Sequence, residues 1–389
     1  MNFTVERDFF ASAVTWVARS LPGRPITPVL AGVVLELVPE TAERSRLSIA
    51  GFDYETSTRV AREVDGSGEG RILVSGRMLA DIAKALPRAD PLVRVEQTDA
   101  ARATLTCGSS RFVLPLLKVE EYPDLPDLPE AIGTVESDVL EQAVSQVAVA
   151  AGREDALAVL TGVRIEVDGD RLTLAATDRY RLAVRELAWR PRIPGLQAHA
   201  LVPARTLVEA ARSMLDARGD GPPEALVHLT GGGEGGGRHT LFGLSSGGRQ
   251  MTTHLLDGEF PKYRSLLPAG HEATAELPRA ELSEAVRRVA LVAERNSPVR
   301  LTFSGSELVL QASGIDDAAA EESLGVEFSG DELTIAFNPT YLLDGLGALE
   351  TDTVQLGFTA ATRPALLTAK GEDTQSDYRY LIMPVRLPG

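Results

Sequence analysis

Three stretches decide the fold: VERDFFASAVTWVARSLP (residues 5–22), VESDVLEQAVSQVAVAAG (135–152) and LPRAELSEAVRRVALVAE (277–294) share one apolar pattern at offsets of 130 and 142 residues. Phe10, Leu140 and Leu282 correspond, as do Val14, Val144 and Val286, and then Val17, Val147 and Val289. Apolar positions recurring at three and four residues, after starts containing Glu6, Ser137 or Arg279, predict an amphipathic helix in every copy. The chain is therefore read first as a repeat.

A second helix is predicted later in each copy, in VSGRMLADIAKALP (74–87), VPARTLVEAARSML (202–215) and FNPTYLLDGLGAL (337–349), each just after a strand-like run. Between the two helices lie paired strand patterns, at 29–53, 160–178 and 299–314. Alternating apolar residues flanking polar turns such as Asp168, Gly169 and Asp170 read as antiparallel hairpins. The Pro-marked segments EYPDLPDLP and FPKYRSLLP close the first two copies. The boundaries follow at 1–129, 130–270 and 271–389, three α+β domains with two helices and a predominantly antiparallel sheet apiece.

A length of 389 residues is ample for several cores, and 44% hydrophobic with 24% charged residues is ordinary globular usage, which disfavours disordered, collagen-like and coiled-coil classes. Cys107 stands alone, which excludes an internal disulfide framework or a cysteine-rich zinc site. The start, MNFTVERDFF, has no signal-like apolar run and no stretch has the length of a membrane span, so the expectation is a cytoplasmic protein. A net charge of −16 argues at first against nucleic acid, but it is unevenly spread: residues 271–389 hold nine basic against 19 acidic side chains. All but four of the cations are arginines, whose forked guanidinium suits phosphate or carboxylate.

No catalytic constellation is found. Gly243, Ser245 and Gly247 match GxSxG, but a nucleophile elbow needs a helix next and GRQMTTHLL is strand-like, so a hairpin turn is expected. The glycine-rich GGGEGGG (231–237) has no helix or Lys-Ser/Thr behind it and reads as a loop tip. His199, His228, His239, His254 and His271 lack any close ligand spacing and are read as surface residues, so no metal and no cofactor is expected. The second helices are more informative. Arg77, Asp81, Lys84 and Arg88 follow a spacing that Arg205, Glu209, Arg212 and Asp216 repeat 128 residues later, opposite the apolar side; the third copy has Thr340, Asp344 and Gly347 instead.

The chain resembles the β sliding clamps of bacterial DNA polymerase III, of actinobacterial type, from FTVERD at Phe3 to YLIMPVRL at 380–387. GRP (23–25), SRF (110–112), ATDRYRLAVRE (176–186), DGEFPKYRSLLP (257–268) and FNPTYLLDGL carry the likeness together with the second-helix segments. The resemblance implies a non-catalytic processivity factor: three similar domains per crescent, two crescents closed head to tail into a ring, helices lining the hole and sheets outside. Geometry favours the dimer, because six helices of ~10 Å diameter would leave a hole only ~9 Å across, whereas twelve leave ~28 Å, enough for duplex DNA. The implied partners are DNA without sequence preference, a second copy, the polymerase III α subunit, the clamp loader and other clamp-binding proteins. An accessory copy serving repair, or resistance to clamp-binding antibiotics, is the alternative.

Carried over residue by residue, the family's peptide pocket comprises Leu160, Thr177, Arg179, Tyr180, Arg181, Leu182, Pro261, Leu266, Asn338, Tyr341, Met383, Pro384, Val385, Arg386 and Leu387. Well-known members often carry Gly-His where this chain has Arg179 and Tyr180, and Arg where it has Ser265. Candidates for facing DNA are Arg24, Arg77, Lys84, Arg88, Arg153, Arg205 and Arg212, and for the dimer interface Phe112 and Leu114 against Leu291 and Val292.

Overall fold

The computed structural model describes residues 1–25, 27–41, 44–153, 155–215, 224–230, 240–294, 297–314, 318–370 and 377–386. Six helices of two or more turns are described, where the repeat places them: α1 (Arg7–Ser20), α2 (Gly76–Ala85), α3 (Ser137–Ala148), α4 (Ala204–Leu215), α5 (Arg279–Val289) and α6 (Pro339–Ala348). The chain packs as two compact units, Met1–Asp138 with Glu209–Leu255, and Val139–Val208 with Leu256–Gly389.

In the first unit, strands Gly32–Pro39, Arg44–Phe52 and Thr56–Ser67 form an antiparallel meander, and Asn2–Glu6 pairs with the last of them to close the first eight strands on themselves. Inside, α1 buries Phe10, Ala13, Val14, Trp16 and Val17 and packs on α2. Gly76 opens α2 because a Cβ there would lie 2.3 Å from Leu21 Cδ1, so only glycine lets the two helices approach. The EYPDLPDLP segment is pinned by Tyr122, whose hydroxyl accepts from Phe52 N at 2.7 Å and whose phenol burial pushes up to about 12. The meander continues through Arg249–His254, Leu241–Ser246, Glu224–Leu229 and Ala131–Glu136.

The second unit holds a sheet in which Gln197–Pro203, Gly162–Asp168, Arg171–Thr177 and Arg181–Ala188 run antiparallel in that order. The next strand is not their sequence neighbour. It is Asp377–Ile382, with Leu182 opposite Leu381 and Ala183 opposite Tyr380, followed by Ala365–Lys370, Thr353–Phe358 and Ala273–Pro278. Ala175, Leu182, Val184, Tyr263, Leu366 and Leu381 form a core cluster along this seam. Helices α5 and α6 pack together, and Gly345 in α6 gives Tyr380 its place: a Cβ would stand 2.5 Å from the ring.

The expected hairpin around Gly247 is present, with Ser246 opposite Arg249 and positive φ at Gly247 and Gly248. His228 corrects the reading of the histidines as surface residues. It lies on a strand interior, 5% exposed, with Nδ1 2.8 Å from the Pro129 carbonyl and Nε2 2.8 Å from Ser245 Oγ, so both ring nitrogens are satisfied inside the protein. The GGGEGGG stretch, His239 and Asp216 lie outside the described residues.

Candidate functional site

The singled-out residues fall into two groups, exposed helix faces and one cleft. On α2, Arg77, Asp81 and Lys84 are exposed while Leu79, Ala80 and Ala83 are buried, and Arg88 is exposed beyond the helix end. On α4, Arg205 and Arg212 are exposed while Leu207, Ala210, Ala211 and Met214 are buried. Arg24 is exposed in the loop after α1. Glu209, the acid in the α4 stripe, faces Arg19 at 3.8 Å. The matching positions of α6 carry no cation, and on α5 Arg288 is occupied by Glu284 and Glu322, the latter at 2.6 Å. Among the described residues of the second helices, the exposed cations thus belong to the first two repeats.

One residue of this region is invisible in the sequence. Arg249 is 6% exposed beneath α1 and the end of α4, donating to Ser213 Oγ and Ser12 Oγ, both at 2.8 Å, with its guanidinium 5.6 Å from the Trp16 ring. It lines a cavity of ≈ 250 Å³ with Arg19 and Arg212. Its position depends on Trp16, more than two hundred residues away in the chain.

The second surface is a cleft of ≈ 430 Å³ lined by Leu157, Leu160, Arg179, Tyr180, Arg181, Tyr341 and Asp344, among others. A tight turn builds its floor. Asp178 Oδ1 accepts the amides of Tyr180 (3.0 Å) and Arg181 (3.1 Å), Thr177 Oγ1 donates to the Arg181 carbonyl at 2.6 Å, and Arg179 takes φ 80°. Arg181 is turned inward, 5% exposed, bonded to Asp178 Oδ2 at 2.9 Å and Asp344 Oδ2 at 2.5 Å, with its guanidinium 4.4 Å from the Tyr341 ring. Burial works against that charge, but Tyr380, Asp344 and Asp178 outweigh it and hold the guanidinium protonated beyond its ordinary range. Tyr180 stacks on Tyr341 at 6.2 Å, and Asn338 caps α6 by accepting the amides of Thr340 and Tyr341.

Five of the fifteen expected pocket residues therefore line this cleft: Leu160, Arg179, Tyr180, Arg181 and Tyr341. Thr177 and Leu182 are buried behind it, the first shaping the turn and the second in the core seam. Pro261 and Leu266 belong to the 257–268 segment, which is tied down where Tyr263 Oη and Arg264 donate to Glu166 at 2.9 and 2.8 Å. Burial raises Glu166, yet these bonds outweigh it and keep its carboxyl below the usual range. Leu266 itself is exposed. Past the last strand, Met383 is 41% exposed, Pro384 and Val385 are half-buried and Arg386 is exposed; Leu387 lies outside the described residues.

Arg153, a candidate for facing DNA, lines the cleft, and Asp178, Thr340 and Asp344 join it unanticipated. In strand Ser110–Leu117, Leu114 is 1% exposed in the core of its own sheet and Phe112 is half-buried on the same side, so Arg111, Val113 and Pro115 point outward. After α5, Leu291 is 83% exposed and Val292 half-buried. Among the described residues no cluster of His, Cys, Asp and Glu could hold a metal, and no helix is long and apolar enough to cross a membrane.

Comparison with known proteins covers the whole chain. Family models of the DNA polymerase III beta subunit match in succession, the N-terminal domain over residues 1–126, the central domain over 134–262 and the C-terminal domain over 264–386. The Beta sliding clamp of Streptomyces coelicolor is 52% identical over 100% of both chains, and the Beta sliding clamp homolog GriR of Streptomyces muensis is 45% identical over 99% of each. Among solved structures, a DnaN sliding clamp from Pseudomonas aeruginosa bound to griselimycin covers 100% of both chains with a TM-score of 0.88 at 29% identity.

Proposed function

The chain belongs to the DNA polymerase III beta subunit family, and on that footing we propose that two copies close head to tail into a ring around duplex DNA and hold the replicative polymerase on its template. It is a sliding clamp, a processivity subunit and not an enzyme. The observation that carries the reading is the threefold helix pair under a family match that spans each copy in turn. The domains proposed are 1–129, 130–270 and 271–389, and the compartment is the cytoplasm. The higher similarity to the Streptomyces coelicolor clamp than to GriR gives no support to an accessory role.

The mechanism is topological. A closed ring cannot leave DNA sideways, so a tethered polymerase stays at high effective concentration without any sequence being read. Arg24, Arg77, Lys84, Arg88, Arg205 and Arg212 are proposed to meet phosphates through weak, exchangeable contacts, which suits sliding. The cleft of Tyr180, Arg181 and Tyr341, with the tail from Met383 onward, is proposed to hold short peptides of the polymerase α subunit, the clamp loader and other clamp-binding proteins, its apolar walls supplying anchors and its few polar groups orientation. Loader-dependent retention on nicked circular DNA, with release once the circle is linearised, tests the ring. Retention on the linear form would refute encirclement.

A further inference from the structure

Resting on the reading of two copies closed into a ring, we propose that Arg249 is a positioning residue for that closure: it fixes the angle at which the first and second repeats meet. The two repeats are joined along a strand ladder, Arg249–His254 of the second against Thr56–Ser67 of the first. Hydroxyl pairs stitch it, Ser57 with Thr252 at 2.7 Å and Thr56 with Thr253 at 3.1 Å. Paired strands accommodate twists from roughly 10° to 35°, so the ladder alone leaves the helices above it free to tilt.

Arg249 supplies a second attachment. Its buried guanidinium donates from two nitrogens to two repeats, Nη2 to Ser12 Oγ on α1 and Nη1 to Ser213 Oγ on α4, each at 2.8 Å. The planar fork makes those two directions a fixed pair, so tilting one helix against the other breaks a bond. Close packing does not set the angle at this point, because a cavity of ≈ 250 Å³ lies among Trp16, Arg19, Glu209 and Arg212. The joint between the second and third repeats carries the same bridge in other chemistry. There the last strand, Asp377–Ile382, brings the Tyr378 hydroxyl to α3, where it donates to the Gln146 carbonyl at 3.0 Å. Gln146, which stands 130 residues after Trp16, donates in turn from Nε2 to the Ala348 carbonyl at the end of α6, also at 3.0 Å. A link from strand to first helix to the end of the next second helix is thus built once from an arginine and two serines, and once from a tyrosine and a glutamine. Its position is kept while its residues change.

The test uses the full chain. Arg249→Met keeps the volume and the apolar stem and removes both bonds; exchanging a buried charge for an apolar side chain of like size costs little, so the melting temperature should stay within about 3 °C of wild type. Spin labels at Glu63→Cys and Thr240→Cys, exposed positions on the two sides of the joint, should show a broadened distance distribution, with the native Cys107 buried. If each copy then holds the closing angle about a third of the time, the dimer dissociation constant should rise about tenfold, although Arg249 is buried in its own protomer. Retention on nicked circular DNA should shorten in step. Arg249→Lys, which keeps the charge without the fork, should fall between. A merely structural arginine would lower the melting temperature and leave the dimer constant, read well below the melt, unchanged. That result, or an unbroadened distance in Arg249→Met, overturns this inference alone. Should Arg249→Met fail to fold, Arg249→Lys decides by the same two readings. A wild type that does not dimerise, or that stays on linearised DNA, overturns the ring reading and this inference with it.

Discussion

The amide of Met383 donates to the carbonyl of Tyr180 at 2.8 Å, fastening the last described segment to the turn that carries the aromatic lip of the cleft. That fastening is backbone to backbone, so side chains at 383 and 384 can be removed without cutting it. Met383→Ala with Pro384→Ala should leave the melting temperature nearly unchanged and weaken a clamp-binding peptide at least about tenfold, a loss of ~1.4 kcal/mol. Peptide titration beside a thermal melt checks this. Wild-type affinity would leave the site to the cleft residues alone.

Neutralising Arg24, Arg77 and Arg205 together to alanine should weaken direct DNA binding and make its log K against log salt slope shallower by roughly 2.7, at about 0.9 per phosphate contact. The measurement is binding to short duplex DNA across a salt series. An unchanged slope would show that these three do not meet phosphate.

Leu291→Ala with Val292→Ala should shift sedimentation toward monomer at nanomolar concentration while the fold persists, since Leu291 is almost wholly in solvent. Leu114→Ala should behave differently. As a core residue, it should lower stability by roughly 2–4 kcal/mol whatever the state of association.

Tyr122 adds an alkaline limit. Its phenol titrates at the ordinary 10 when unfolded and at about 12 when folded, so its contribution is complete below about pH 10 and is lost as pH rises through about 12, roughly 2–3 kcal/mol in all. Tyr122→Phe should start lower, having lost the bonds to Phe52, and fall less steeply over that window than wild type. Equal slopes in chemical denaturation would contradict the assignment.

The repeat was legible because helical periodicity is local: Phe10, Leu140 and Leu282 announce their buried faces within four residues of sequence. Hairpins were legible for the same reason, through Asp168-Gly169-Asp170. The run RFVLPLL was not, because five of its seven residues are apolar and alternation cannot say which face is inward; only pairing with Arg102–Cys107 settles that Leu114 is core. Nor could sequence separate Arg179 from Arg181. Two residues apart they would share a face of a strand, but the turn at Asp178 intervenes and sends one outward and the other onto Asp344. Arg249 escaped notice because its partners Ser12 and Trp16 come from the first repeat.

The placement of Asp377–Ile382 between Arg181–Ala188 and Ala365–Lys370 sets an order of events in synthesis. Pairs such as Leu182 with Leu381 span nearly two hundred residues, the kind of long-range closure that slows folding. While the ribosome is still making the third repeat, the ATDRYRLAVRE strand has an open edge and the Tyr180 turn has nothing to hold. If the cleft is the docking site proposed above, a nascent chain should be unable to engage a polymerase there before its own third repeat is in place, and truncated products should carry no finished site to compete with the complete protein.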